Sequence, residues 1–275
     1  MPELPEVETV RSALAPLLIG ERFTRIITHV PRLRTPLTIA DIPQLLHQPI
    51  TVLHRRAKYL LFELDNGYCL LNHLGMSGSW RLEEAGSPLQ KHDHAEFLLA
   101  SGRILRYHDP RRFGILEIIP PDLPVAGHPC LQHLGTEPLS DDFTPQILIQ
   151  ACHNKKKPIK NLLMDNRVVV GVGNIYASEA LSLAGIRPQI PAGSVAPARL
   201  KRLHKAIREV LLAALQAGGT TIRSYSSLNG REGQFARHLW VYGRAGEPCE
   251  KCQRGIIRVV KQAGRSSFYC PICQR

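Results

Sequence analysis

No run of 18 or more apolar residues occurs in the 275-residue chain, so the pattern of a membrane-spanning helix is missing. The first residues are acidic and lack the basic and apolar regions of a secretory signal, which removes export as an expectation. Internal repeats and low-complexity tracts are also missing, leaving ordinary globular domains. A secreted disulfide framework is excluded by the cysteines: there are seven, an odd number, and four of them form one tight array. Cys69, Cys130 and Cys152 stand alone and read as small buried hydrophobes. The expectation is therefore a cytoplasmic protein. Acidic residues are in deficit, with 35 Lys and Arg against 23 Asp and Glu and a net charge of +12. That balance favours a polyanionic partner and is silent about fold. Ten Lys and Arg against three Glu fall between Gly218 and Arg275, so much of the surplus sits at the C-terminal end.

What is present is a 44% hydrophobic chain, enough for one large or two medium domains with cores of their own. It opens MPELPEVETVR, with three glutamates close behind a proline. Read alone, this is a helix start: proline in the first turn and carboxylates at the positive end of the dipole both stabilise one. Val7, Val10, Leu14, Leu17 and Leu18 follow at helical spacing, up to a stop at Gly20. Short apolar segments come next. Phe23 to Val30 reads as a strand, TVLHRRAKYLLFEL as one more, and Asp65-Asn66-Gly67 as a tight turn before YCLLNHL. Ser101-Gly102 separates EFLLA from RILRY in the same way. This is a mainly antiparallel β domain, a two-layer sandwich with a helix packed on it. Beyond about Cys130, helical periodicity covers Asp142 to Cys152, Asn174 to Ala184 and Ala196 to Ala217, with Gly185 and Gly218 as stops. The overall class is α+β.

Cys249 and Cys252 form one C-x-x-C pair, Cys270 and Cys273 a second, with seventeen residues between them. Each pair turns two thiolates onto one ion, and four thiolates with no open position make a structural zinc site. A redox role is disfavoured because no βαβ pattern surrounds either pair. The segment between them, GIIRVVKQAGRSSFY, reads as a hairpin carrying Arg258, Lys261 and Arg265, a guanidinium geometry suited to phosphate. A module this small depends on the ion for its folding free energy. By itself it points to nucleic-acid binding and not to catalysis.

Together, MPELPEVETVR, GVGNIYASEAL at 171 to 181 and the four-cysteine hairpin with Arg265 resemble the bacterial formamidopyrimidine-DNA glycosylases. The resemblance runs the whole length and includes RRAKYL at 55 to 60, NHLGMSGSW at 72 to 80, KHDH at 91 to 94, YHDPRRFG at 107 to 114 and VYGR at 241 to 244. The LPEVE stretch sets it apart from the related endonuclease VIII branch. The resemblance implies a catalytic β-sandwich domain over 1–130, a helical helix-two-turn-helix domain over 131–235 and a zinc-finger hairpin over 236–275. It implies a monomeric base-excision enzyme with one structural Zn2+, acting on damaged double-stranded DNA in the bacterial cytoplasm and, when bound, at the nucleoid. Oxidised purines would be removed and the strand cut by β,δ-elimination.

The resemblance also assigns roles. Removal of Met1 would free the Pro2 amine as the nucleophile on the sugar C1′. An α-amine titrates near 8, well below the roughly 10.4 of lysine, so more of it is neutral at physiological pH. A secondary amine also gives an iminium that is cationic without a further proton. Glu3 would be the general acid/base, with Glu6 orienting or capping. Lys58 would serve β-elimination, and Arg265 the δ-elimination and the phosphate beside the lesion. Asn174, after Gly171 and Gly173, would hold phosphate at a helix start. A base must be extruded before it is cut out: Met76 would fill the vacancy, Arg111 bond the estranged base and Phe113 wedge into the stack. His92, Lys155 and Tyr242 would touch DNA backbone, and His73 either phosphate or its own strand. The KKKPIK run at 155 to 160 reads equally as a solvated or a binding face. Ser224 to Gly233 would read the lesion. The rival from another class is a non-catalytic zinc-ribbon protein recognising damaged or bent DNA, with the opening stretch serving only as a cap.

Overall fold

A computed structural model describes residues 2–219, 235 and 239–275. These fall into two compact units, 2–132 with 218–219, and 133–217 with 235 and 239–275. The first unit begins with α1 (Leu4–Leu18), whose Val7, Val10, Leu14 and Leu18 are buried while Leu17 is exposed. Eight strands follow: β1 (Phe23–Thr28), β2 (Ile50–Arg56), β3 (Tyr59–Leu64), β4 (Cys69–His73), β5 (Ser79–Glu83), β6 (Asp93–Leu99), β7 (Ile104–His108) and β8 (Ile115–Ile119). They make two antiparallel four-stranded sheets, ordered β1-β6-β7-β5 and β2-β3-β4-β8.

Period-2 alternation puts Leu60, Phe62, Leu70 and Leu116 of one sheet and Phe97, Leu105 and Tyr107 of the other into a common core. Trp80 is its centre, with Phe62, Phe97 and Tyr107 ring centroids 5.6, 5.5 and 4.9 Å away. Its indole N–H donates to Asn72 Oδ1 at 2.9 Å, and Asn72 in turn donates to the Ile115 carbonyl at 2.9 Å, so the buried polar atoms are paired.

The stretch read as a single strand over 51–64 is in fact the hairpin β2–β3. Ala57 takes φ 54° and, with Lys58, makes a two-residue turn between paired Arg56 and Tyr59. That backbone usually calls for Gly, Asn or Asp, and Ala57-Lys58 carries no such mark.

The second unit holds α2 (Pro145–Cys152), α3 (Ile159–Leu163), α4 (Asn174–Ala184) and α5 (Pro197–Gln216), then the hairpin β9 (Arg258–Gln262) and β10 (Arg265–Tyr269). α4 ends on Gly185 at φ 71°, the left-handed cap that lets the last carbonyls be met. Ala263 and Gly264, at φ 46° and 75°, close the β9–β10 hairpin in a turn whose twist matches its strands.

Candidate active site

The chain enters α1 through buried Pro2 and Glu3. Glu3 is the N-cap, and with Glu6 it forms a reciprocal capping box in which the Glu3 N–H donates to Glu6 Oε2 at 2.8 Å. Glu6 is thus the capping group. The helix dipole favours both carboxylates there, and the backbone carrying Pro2 is fixed next to Glu3. An amine on Pro2 would have a carboxylate as its immediate neighbour, which is the arrangement a nucleophile with an acid/base partner needs.

Lys58, only 7% exposed, sits on the β2–β3 turn. Arg55 fastens that turn to the helix: its Nε donates to Glu8 Oε2 at 3.0 Å and its Nη1 to the Ala57 carbonyl at 2.9 Å. Arg55 is a functional group that the sequence reading did not single out. Lys58 thus lies on a turn and is buried, not on a strand face open to solvent.

Across β3 and β4, His73 packs its ring 4.8 Å from Tyr59 and accepts the Gly75 N–H on Nδ1 at 3.0 Å. Burial first, then the charges of Lys58 and Arg34, push its pKa down to about 4. His73 is therefore a neutral acceptor that shapes the turn bearing Met76.

Met76, Arg111 and Phe113 are brought together by a carboxylate. Asp109, fully buried, accepts Ser77 Oγ–H at 2.5 Å on Oδ1 and the Gly114 N–H at 2.8 Å on Oδ2, while the Arg111 N–H lies 3.1 Å from Ser77 Oγ and 3.3 Å from Asp109 Oδ1. The 74–78 turn and the 109–114 loop touch backbone to backbone: a Cβ on Gly75 would fall 2.4 Å from the Phe113 carbonyl carbon. Phe113 is 45% exposed and Met76 half-buried, so neither is core. The Arg111 guanidinium lies 4.9 Å from the Phe113 ring centroid, a cation–π contact that holds an exposed aromatic at the loop tip. His92, at φ 76°, accepts the Asp109 N–H on its carbonyl at 3.0 Å and rings with His94 and His108.

In the second unit, Asn174 stands at the first position of α4 with Gly173 as cap. Lys160 holds it. The Lys160 ammonium donates to Asn174 Oδ1 at 2.7 Å, Ser267 Oγ at 2.9 Å and the Ser266 carbonyl at 3.1 Å, joining the start of α4 to the strand that begins with Arg265. This corrects the reading of KKKPIK as one basic face: Lys155, Lys156 and Lys157 are exposed, but Lys160 is 1% exposed. Arg265 itself is exposed beside the β9–β10 turn. Tyr242 packs on Phe268 at 5.1 Å, and its N–H donates to Glu179 Oε1 at 2.8 Å. Glu179, inside GVGNIYASEAL, also accepts the Trp240 and Val241 N–H groups; burial raises its pKa against the three donors. Sequence offers no signal for that role beyond a carboxylate on a buried helix.

The four cysteine sulfurs lie within 4.8 Å of one another, with Cys249 to Cys273 at 3.8 Å and Cys252 to Cys270 at 3.7 Å. A tetrahedron with Zn–S bonds of about 2.3 Å has edges of about 3.8 Å, so this donor set can hold one such ion. A Cβ on Gly255 would fall 2.7 Å from Cys270 Sγ, so the loop must pass as glycine. The Arg254 and Gly255 N–H groups lower the Cys252 pKa to about 6, while burial raises those of Cys249 and Cys273. The Ser224 to Gly233 stretch lies outside the described residues.

The model of the formamidopyrimidine-DNA glycosylase N-terminal domain matches residues 1–116, and that of the formamidopyrimidine-DNA glycosylase H2TH domain residues 134–226. Curated formamidopyrimidine-DNA glycosylases from Alteromonas mediterranea and Escherichia coli are 47% and 48% identical, each over 100% of both chains. Among solved structures, a Lactococcus lactis Fpg variant in complex with Fapy-dG-containing DNA is similar with a TM-score of 0.92 at 36% identity over 100% of both chains. Lactococcus lactis Fpg with abasic-site DNA gives 0.91 at 36% over 99% of each. Among the described residues no helix is long and apolar enough to cross a membrane. With sandwich, helices and cysteine hairpin all matched from end to end, the chain belongs to the formamidopyrimidine-DNA glycosylase family.

Proposed function

We propose that the protein is a bifunctional DNA glycosylase and abasic-site lyase that excises oxidised purines, such as 8-oxoguanine and formamidopyrimidines, from duplex DNA. The observation that carries this reading is the burial of Pro2 beside Glu3 at a capped helix start, in a chain whose structural relatives were solved with Fapy-dG and abasic-site DNA. With Met1 removed, the Pro2 nitrogen attacks the sugar C1′ and the bond to the base breaks, its electron pair leaving with the base. Glu3 moves protons at the opening ring. The iminium then accepts electrons as a C2′ proton is lost and the 3′ phosphate leaves, with Lys58 supplying charge and proton transfer. A second elimination releases the 5′ phosphate, and Arg265 supports that step.

Met76, Arg111 and Phe113, mounted on the two loops that Asp109 joins, replace the extruded nucleotide and face its former partner. Asn174, Lys155, Tyr242 and His92 serve the phosphate backbone. The four cysteines hold one Zn2+, which shapes the hairpin bearing Arg265 and takes no part in bond making. The test is parallel cleavage of 8-oxoguanine and thymine-glycol duplexes. The expected result is faster cutting of 8-oxoguanine, with phosphates on both ends of the gap; preference for thymine glycol contradicts the substrate assignment, and binding without cutting contradicts the enzyme.

A further inference from the structure

Cys130 departs from the reading of the three solitary cysteines as buried hydrophobes. Cys69 and Cys152 are enclosed, but Cys130 is half-buried and stands among polar groups. Its sulfur lies 4.0 Å from Glu117 Oε2, and His128 Nε2 lies 3.3 Å from that same oxygen. One donor atom from each of the three residues lies within 4.8 Å of the others. Glu117 projects from β8, and His128 and Cys130 from the loop that follows. The Leu131 N–H donates to the His128 carbonyl at 2.8 Å, which fixes that loop. None of these residues belongs to the four-cysteine cluster or to the proposed catalytic set.

Bonds of about 2.3 Å to sulfur and about 2.0–2.2 Å to nitrogen and oxygen give tetrahedral edges of roughly 3.3–3.6 Å. The observed 3.3 and 4.0 Å lie within a few tenths of an ångström of that range. A carboxylate, an imidazole and a thiolate form a mixed donor set for a borderline divalent ion such as Zn2+ or Co2+. Mg2+ and Ca2+ take oxygen ligands instead.

We propose that Glu117, His128 and Cys130 form a second metal site, for one borderline divalent transition ion, with three protein ligands and a fourth position open to water. On binding, the thiol proton passes to solvent and sulfur bonds the ion. The imidazole offers its Nε2 lone pair with its proton on Nδ1, giving up the 3.3 Å contact from the Cys130 N–H. With three ligands, one of them a partly exposed carboxylate, the site binds more weakly than a four-thiolate site and is emptied by dialysis.

The experiment uses full-length protein loaded with one Zn2+ per chain and titrated with Co2+. The expected result is one further equivalent bound, with the absorption of a single thiolate–cobalt bond, while zinc stays at one per chain. Cys130→Ser removes the band and weakens Co2+ binding at least tenfold, and Glu117→Gln, which keeps the thiol, weakens it about tenfold. Far-UV circular dichroism and retained zinc show that both variants are folded. Uptake of Co2+ only in exchange for zinc, or equal uptake by Cys130→Ser, overturns the proposal.

Discussion

Replacing Lys160 with methionine keeps most of the stem and removes the ammonium, so it isolates the clamp between α4 and the β9–β10 hairpin. In the native chain that ammonium satisfies Asn174 Oδ1, Ser267 Oγ and the Ser266 carbonyl at 2.7, 2.9 and 3.1 Å. A buried acceptor left without its donor costs about 1–3 kcal/mol. Relief from burying a charge offsets part of the loss of all three. The expected net destabilisation is about 2–4 kcal/mol, roughly a 30- to 700-fold change in the folding equilibrium of the second unit. Urea melts followed by far-UV circular dichroism measure it, with Trp80 fluorescence in a Trp240→Phe background reporting the first unit. The first unit should melt unchanged, and affinity for a lesion duplex should fall because Asn174 and the strand of Arg265 lose their common anchor. A change below about 0.5 kcal/mol would refute the reasoning, since one buried and two partly buried acceptors cannot lose a donor at no cost.

Asp109→Asn sets an amide where Ser77 and backbone N–H groups now donate to a carboxylate, and should cost about 1–3 kcal/mol in urea melts and weaken lesion-duplex binding; an unchanged melt contradicts the hub. His73, held near 4 against an ordinary 6.5, is neutral when folded and takes up a proton when unfolded. Its contribution is complete above pH 6.5 and lost as pH falls toward 4, about 2 kcal/mol of it by pH 5. His73→Gln should flatten the fall in urea stability between pH 7 and 5, and an identical slope in the variant excludes the assignment. Removing the metal from the four-cysteine cluster should abolish DNA binding while the near-ultraviolet signal of the sandwich core persists; affinity retained after verified metal loss contradicts the role of the hairpin.

The four longer helices and most turns were legible because their signals are local, whereas short α3 carried none. The Val7, Val10, Leu14 stripe, Gly185 beyond α4 and Gly102 between β6 and β7 each state a backbone need at the residue itself. Ala57 is the counterexample: a left-handed alanine carries no mark, so the β2–β3 hairpin read as continuous strand. Lys160 and Glu179 were hidden for a different reason. A basic run reads equally as a solvated or a binding face and a helical carboxylate carries no mark of burial, so only the fold brings acceptors for one and three N–H donors for the other. Asp109 likewise gathers partners from two loops more than thirty residues apart in sequence. The cysteine hairpin was fully legible, since two C-x-x-C pairs state their own geometry.

The central claim is that the Pro2 nitrogen forms a covalent bond to the sugar of the damaged nucleotide. Borohydride reduction of the Met1-free protein with an 8-oxoguanine duplex, followed by mass spectrometry of the peptide–nucleotide adduct, tests it directly. The account predicts one strand bound per chain, attached at residue 2, and a sharply lower yield in Pro2→Gly. An adduct mapped to a lysine, or none from protein that binds the duplex, contradicts it.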